Sequence, residues 1–406
     1  MLKSEIENVI ESQTASLGDD LGMRRDGLSE IPVQDRFATI ITGVRRCGKS
    51  TLLRQWASSS GLSVLPVLFE DFRLMDFEPK DFALLGKIVE ERRVQAVILD
   101  EVQDLKGWEL FVNGLLGRKL KVFVTGSNAK MLSVELGTKL SGRHLDYRLD
   151  PFTYPEFLRF GKRRNTVRSL EEYLLRGGFP AYVASGNRQV LESLFGDIVY
   201  RDVVTRYRIS NTQPIKQLAV YLLNHVGTRL APSRLKDAIH VQSAKTVLEY
   251  FDHLTECCLI DRLEQWADSP KARMLAQKKV YACDTGLVTA FERIADANLG
   301  HKLENVVFRH LKRKGGDLTY YRAGDDSECD FLREAIDGRM EAIQVAYELN
   351  EDNVEREMRG LLAALKRFGL SRGTIVTAKR RDEAVADGCE IRIVPATEYL
   401  TEDFSG

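Results

Sequence analysis

The sequence predicts an α/β fold built around a parallel sheet near its amino-terminal end. Three observations carry this. Short apolar runs alternate with helical stretches from Phe37 onward, the order that places helices on the faces of a parallel sheet. Runs such as Ala96-Val97-Ile98-Leu99 are apolar without alternation, as strands buried on both faces require. A glycine-rich segment, Gly43 to Ser50, follows the first run and opens a helix.

The elements follow in order. Met1 to Arg25 reads as a polar helix and a loop. Ala38 to Thr42 is a strand, and a helix through Leu52, Leu53 and Trp56 follows the glycine-rich turn. Val64 to Phe69 is a second strand, Asp81 to Arg92 a helix, and Ala96 to Leu99 a third strand. Trp108 to Leu116 is helical, Lys121 to Thr125 is a fourth strand and Leu145 to Leu149 a fifth. After Pro151 the chain turns helical, interrupted by Gly177-Gly178-Phe179-Pro180. Pro214 to Trp266 gives three helical stretches and an apolar strand from Cys258 to Leu263, the outline of a winged helix-turn-helix. From Val280 the pattern is mixed α/β.

The 406 residues suffice for two to four domains. The boundaries predicted are a helical extension over 1–35, the sheet-bearing core over 36–160, a helical linker over 161–210, a winged-helix segment over 211–270 and a further α/β domain over 271–406. Lysine plus arginine balance aspartate plus glutamate, 59 against 59, so no global field draws in nucleic acid or an anionic membrane. The six cysteines form no C-x-x-C pair, and free thiols in a reducing cytoplasm are expected. No signal-peptide pattern and no apolar run of membrane-spanning length is present, so a cytoplasmic protein without a membrane partner is expected.

The segment Gly43-Val44-Arg45-Arg46-Cys47-Gly48-Lys49-Ser50 matches G-x-x-x-x-G-K-[ST] in full. Backbone N–H groups of such a loop cradle phosphate oxygens, and the next helix turns its positive end toward them. Lys49 is expected on the β- and γ-phosphates of ATP, with the Ser50 hydroxyl on Mg²⁺ and Thr51 continuing the binding segment. Asp100-Glu101 stands at the carboxyl end of an apolar strand, where ligands of open α/β sheets bind. Asp100 is expected to hold the metal and Glu101 to polarise the attacking water. The strand at 64–69 suggests the additional-strand class of P-loop ATPases. Ser127 or Asn128 at the end of the fourth strand is a candidate sensor of the γ-phosphate, or else an N-cap. Arg143, after Ser141-Gly142, is a candidate finger on a neighbouring subunit's nucleotide, which would imply a homo-oligomer.

These motifs, with V-I-L-D-E-V-Q, V-T-G-S-N-A-K-M-L and L-S-G-R, resemble the AAA-like ATPases of bacteria and archaea, many of which carry a C-terminal domain of unknown function. R-G-G-F-P at 176–180, Y-R-D-V-V at 200–204 and V-Y-A-C-D-T-G-L at 280–287 extend the resemblance from about Phe37 to about Val376. It implies an ATPase core, a winged-helix segment and a nuclease-like C-terminal fold.

The helix from Ala244 to Thr255 is placed as a recognition helix, yet Lys245 is accompanied by Glu249, Asp252 and Glu256. Without an excess of positive charge to release counterions, DNA and protein both remain possible partners. The order from His301 to Thr377 resembles the PD-(D/E)XK, or restriction-endonuclease-like, core. Glu304 and Asp330 fit its first two acids. Gln344-Val345-Ala346 stands where acid-x-lysine is expected, so a nuclease fold without nuclease chemistry is expected. Glu341 points to the other face of the strand, and Glu348 lies about 13 Å along it. The expectation is an ATPase that drives or switches its attached modules. The alternatives are an ATP-regulated nuclease and an ATP-binding adaptor with little turnover.

Overall fold

The computed structural model describes residues 1–127, 142–292, 298–324 and 327–402. Two compact units divide the chain: Met1–Asp150 with Glu256–Cys258, and Pro151–Thr255 with Leu259–Gly406.

In the first unit, α1 (Lys3–Ala15) precedes β1 (Ala38–Thr42), α2 (Lys49–Ser60), β2 (Val64–Leu68), α3 (Phe82–Arg92), β3 (Ala96–Asp100), α4 (Trp108–Gly117), β4 (Lys121–Gly126) and β5 (His144–Arg148). The strands form one sheet in the order β2-β3-β4-β1-β5, and every pairing is parallel. Every residue of β1 and β3 is buried, which explains the unbroken apolar run from Ala96 to Leu99. The helix predicted at the amino terminus is part of this core. Ile6, Val9 and Ile10 pack with Leu65, Val67, Leu85 and Val97. Gln13 also serves the edge strand β2. Its amide donates to the Leu68 carbonyl at 3.2 Å and its oxygen accepts from the Leu68 N–H at 2.9 Å. A side chain thereby satisfies backbone groups that a sheet edge leaves open.

The second unit begins with α5 (Tyr154–Phe160), α6 (Val167–Arg176), α7 (Pro180–Ser185) and α8 (Gln189–Asp197), which runs into a π-helical stretch over Ile198–Thr205. Next come α9 (Gln213–Asn224), β6 (Arg229–Leu230), α10 (Pro232–Ala238), α11 (Ala244–Glu256), β7 (Ile260–Gln265), α12 (Pro270–Leu275), β8 (Lys278–Ala282) and α13 (Thr285–Phe291). The rest is α14 (Leu299–Lys314), β9 (Asp317–Arg322), β10 (Glu328–Glu334), β11 (Met340–Val345), α15 (Val354–Phe368), β12 (Arg372–Thr377), β13 (Asp382–Ala386), β14 (Cys389–Pro395) and α16 (Ala396–Tyr399). Among the described residues these strands make one nine-stranded sheet, β13-β14-β12-β11-β10-β9-β7-β8-β6. The join is β7 beside β9, with Glu264 opposite Thr319 and Gln265 opposite Tyr320. Among the described residues no helix is long and apolar enough to cross a membrane.

The R-G-G-F-P and D-T-G-L motifs meet at one carboxylate. Asp284 accepts from the Gly178 N–H at 2.6 Å and the Gly286 N–H at 2.8 Å, capping α13. Gly177 has φ +67°, and a Cβ there would lie 2.0 Å from Asp284 Oδ1, so glycine is required twice over. Burial pushes the Asp284 carboxyl up to about 6, against the pull of those N–H donors. A raised carboxyl contributes stability that is complete below its unfolded value and lost as pH rises through the folded one. Wild-type stability is therefore expected to fall by up to about 3 kcal/mol between roughly pH 4 and 6 relative to Asp284→Asn, whose side chain stays neutral. Urea unfolding of both proteins across that range checks it. Parallel pH profiles would remove Asp284 as the cause.

Candidate functional site

The loop between β1 and α2 brings the predicted binding residues together. Gly43 has φ +147°, and a Cβ there would lie 2.2 Å from the Leu149 carbonyl oxygen, so only glycine lets the chain turn off the strand here. Val44 and Cys47 are buried beneath the loop, and the Cys47 thiol faces the Leu149 carbonyl at 3.4 Å. Arg45 reaches Glu70 Oε1 at 3.0 Å. Arg46 has φ +61°. Gly48 caps α2, which opens with Lys49, Ser50 and Thr51 and points its N-terminal end into the loop.

Lys49 is 4% exposed. Its Nζ donates to the Gly43 carbonyl at 3.1 Å and lies 3.3 Å from Glu101 Oε1. Burial alone would lower its pKa, but Glu101, Cys47 and Asp100 together raise it above the ordinary lysine value. Its charge is thus secured before any phosphate arrives. Glu101 is buried as well, which favours its neutral form. Lys49, a hydrogen bond from Gln103 and the charge of Arg45 outweigh this and hold it below the ordinary glutamate value. Gln103 Nε2 donates to Glu101 Oε2 at 2.8 Å.

Asp100 closes β3, and burial raises its carboxyl against hydrogen bonds from Ser50 and Thr125. Thr125 on β4 is the residue that sequence reasoning missed. Its hydroxyl donates to Asp100 Oδ1 and accepts from the Glu101 N–H at 2.9 Å. One oxygen therefore fixes both members of the acidic pair. Glu101 itself stands at φ +56°, ψ +45°, a left-handed conformation that costs a non-glycine residue about 1–3 kcal/mol and concentrates at functional sites. The sequence alone does not mark it, because its role depends on β4 lying beside β3. Arg25, also missed, donates to the carbonyls of Cys47 and Asp150 at 2.8 Å each, tying the segment before β1 to the loop.

Ser127 is fully buried just past β4. Asn128 and Ser141 lie outside the described residues. Arg143 is not brought to the loop. Its carbonyl accepts from the Ala38 N–H at the start of β1, and its guanidinium bonds to Asn113 on α4. That is the sheet end opposite the loop, so any part it has in nucleotide chemistry would require a neighbouring chain.

The residues fit a magnesium nucleotide. A backbone cradle, a secured ammonium and two hard oxygen donors, the Ser50 hydroxyl and the Asp100 carboxylate, are the set that phosphate and Mg²⁺ need.

In the second unit, Glu304, Asp330 and Gln344 line one polar cleft of about 1140 Å³. The side chains completing the cluster were not foreseen. Lys279 on β8 inserts between Glu304 and Asp330. Glu328 on β10 joins them, and Glu357 on α15 accepts from Gln344 Nε2 at 2.6 Å. Glu341 turns away and pairs with Arg333 at 2.8 Å, whereas Glu348 lies beyond β11 and lines the cleft.

A phosphate-cradling loop on a parallel five-stranded sheet, faced by an acidic pair at the same sheet end, defines an AAA-type P-loop ATPase domain. The chain matches a model described as an AAA domain over residues 35–158. It matches two domains of unknown function, DUF8612 over 167–298 and DUF4143 over 299–399. It is 30% identical over 397 residues to an uncharacterized protein of Methanocaldococcus jannaschii, covering 92% of this chain and 88% of that protein. A second uncharacterized protein, from Haemophilus influenzae, is 28% identical over 376 residues, covering 87% and 92%. The chain belongs to the family of the Methanocaldococcus protein. Among solved structures, a Walker-type ATPase of Pyrococcus abyssi gives a TM-score of 0.41 at 17% identity, covering 63% of this chain and 91% of that one. Cdc6p of Pyrobaculum aerophilum gives 0.27 at 10%, covering 75% and 94%.

Proposed function

We propose that the first unit hydrolyses ATP with Mg²⁺ and that turnover switches the modules of the second unit. The observation that carries this reading is the shared hydroxyl of Thr125, which holds Asp100 and Glu101 in a fixed relation beside Lys49. Ser50 and Asp100 would hold the magnesium ion, which when bound neutralises charge on the phosphates. Lys49 would leave Glu101 to meet the β- and γ-phosphates. Glu101, freed from the ammonium, then orients a water and accepts its proton.

For the second unit, the order α9, β6, α10, α11, β7, β8 fits a winged helix, and the order α14, β9, β10, β11, α15, β12 fits the PD-(D/E)XK core. Support for a partner other than DNA comes from charge pairing around α11. Lys245 lies 3.7 Å from Glu249, and Arg262 lies 2.6 Å from Asp252, so these basic groups already have acidic neighbours. A protein contact is the favoured role. Cleavage of nucleic acid is not part of the proposal, because the Gln344 amide is bound to Glu357 and to the Asp330 N–H and Ala346 supplies no ammonium.

The test is phosphate release from ATP, with and without Mg²⁺, by wild type and Thr125→Val. Wild type is expected to turn over only with the metal. Valine keeps the shape of threonine but leaves Asp100 and the Glu101 N–H each one hydrogen bond short. Since an unsatisfied buried group costs about 1–3 kcal/mol, turnover should fall about tenfold or more, with ATP affinity little changed. A wild type that binds ATP without hydrolysing it would leave a nucleotide-binding adaptor instead.

A further inference from the structure

Strand β8 opens with two lysines whose side chains point to opposite faces. Lys278 reaches Glu264 at 2.8 Å at the partly exposed edge. Lys279 turns into the cleft of the second unit and is 2% exposed. A buried ammonium persists only where it is paired and hydrogen-bonded. Lys279 Nζ lies 2.8 Å from Glu304 Oε1, 2.9 Å from Glu328 Oε1 and 2.9 Å from Asp330 Oδ1. Of the three N–H donors of an ammonium, one goes to Glu304 and one to Asp330, while Glu328 pairs with the charge.

The surrounding groups are equally committed. Tyr281 donates to Glu304 Oε1 at 2.7 Å. The Val345 N–H donates to Asp330 Oδ2 at 3.0 Å. Arg229 lies 3.5 Å from Glu328 Oε2. Gln344 stands where a nuclease core would place another acid; its neutral amide accepts from the Asp330 N–H at 3.2 Å and adds no charge.

Carboxylate oxygens converging on one positive centre are the environment a hard divalent cation takes, at about 2.0–2.6 Å from each oxygen. Here the centre is already filled by nitrogen at hydrogen-bonding distance, and metal and ammonium cannot share it. Among the described residues, no group of three or more His, Cys, Asp or Glu side chains is arranged to hold a metal ion. A nuclease-like core implies such an ion, and the residues present do not fit one. We propose that Lys279 is the resident cation of this cleft: its ammonium takes the place of a divalent metal among Glu304, Glu328 and Asp330, making the site independent of metal. The proposal rests on the nuclease-like reading only for the expectation that a metal would otherwise belong there.

The experiment uses the full chain, stripped of metal, with Mn²⁺ alone followed by electron paramagnetic resonance. Wild type and Glu328→Gln should give the same titration up to about 1 mM Mn²⁺. Lys279→Ala should gain one ion per chain, bound at least about tenfold tighter than anything wild type holds in the cleft. The double variant Lys279→Ala/Glu328→Gln should weaken that site again. A wild-type Mn²⁺ site that Glu328→Gln removes overturns the proposal, and this comparison decides it even if Lys279→Ala does not fold. A Lys279→Ala protein with a native circular dichroism spectrum and no new site overturns it too. Mn²⁺-dependent DNA cleavage by wild type would defeat the non-nuclease reading as well, whereas binding without cleavage would defeat only the role of Lys279.

Discussion

ATP binding is expected to disappear in Lys49→Ala. The side chain is buried at the mouth of α2, held by the Gly43 carbonyl and Glu101. No other ammonium lies among the residues from Gly43 to Thr51, and Arg45 is drawn outward to Glu70. A charge-assisted contact to phosphate contributes about 1.5–3 kcal/mol. Its loss also leaves Glu101 without its cation and facing the anion that must enter. The two effects act in the same direction, so affinity should fall by about a hundredfold or more. Equilibrium titration with a fluorescent ATP analogue measures it. Affinity within about threefold of wild type would mean that the loop's backbone donors carry the binding.

Glu101→Gln should separate binding from turnover. The amide keeps the shape of the carboxylate and its contact with Gln103, but it accepts no proton from water. General-base contributions of this kind amount to about 10²–10⁴ in rate, and phosphate release should fall by that factor. The ion pair adds a second consequence. Lys49 no longer has to leave a carboxylate to meet phosphate, so ATP should bind as tightly as in wild type or up to about tenfold tighter. Slow turnover with weakened binding would show that Glu101 holds the loop together. Unchanged turnover would remove it from the chemistry.

The strands of the first unit were legible to within a residue or so because β1 and β3 are buried throughout and consist almost wholly of apolar and β-branched residues. The loop was legible because its glycines and its lysine-serine pair are contiguous. Thr125 was not, because its role depends on β4 lying beside β3, and register between neighbouring strands is a tertiary fact. Lys279 escaped for the same reason. An acid-x-lysine pattern would place the lysine on β11, while the ammonium arrives from β8, 65 residues earlier than Gln344. The carboxyl-terminal hairpin of β13 and β14 was missed because exposed charged residues such as Glu383 and Glu390 break its apolar pattern.

The pairing of β7 with β9 bears on how this architecture is inherited. Sequence comparison divides the second unit between residues 298 and 299, yet strands from both sides share a sheet, and the Trp266 N–H donates to the Tyr320 carbonyl at 2.7 Å across that line. A gene cut there would leave two polypeptides with raw sheet edges, open to pairing with any passing strand. One piece would keep a lysine without its acids, and the other the acids without their lysine. Recombination that shuffles one domain of unknown function without the other therefore produces a partner-dependent or insoluble product, so the two segments should travel through genomes as a single heritable piece.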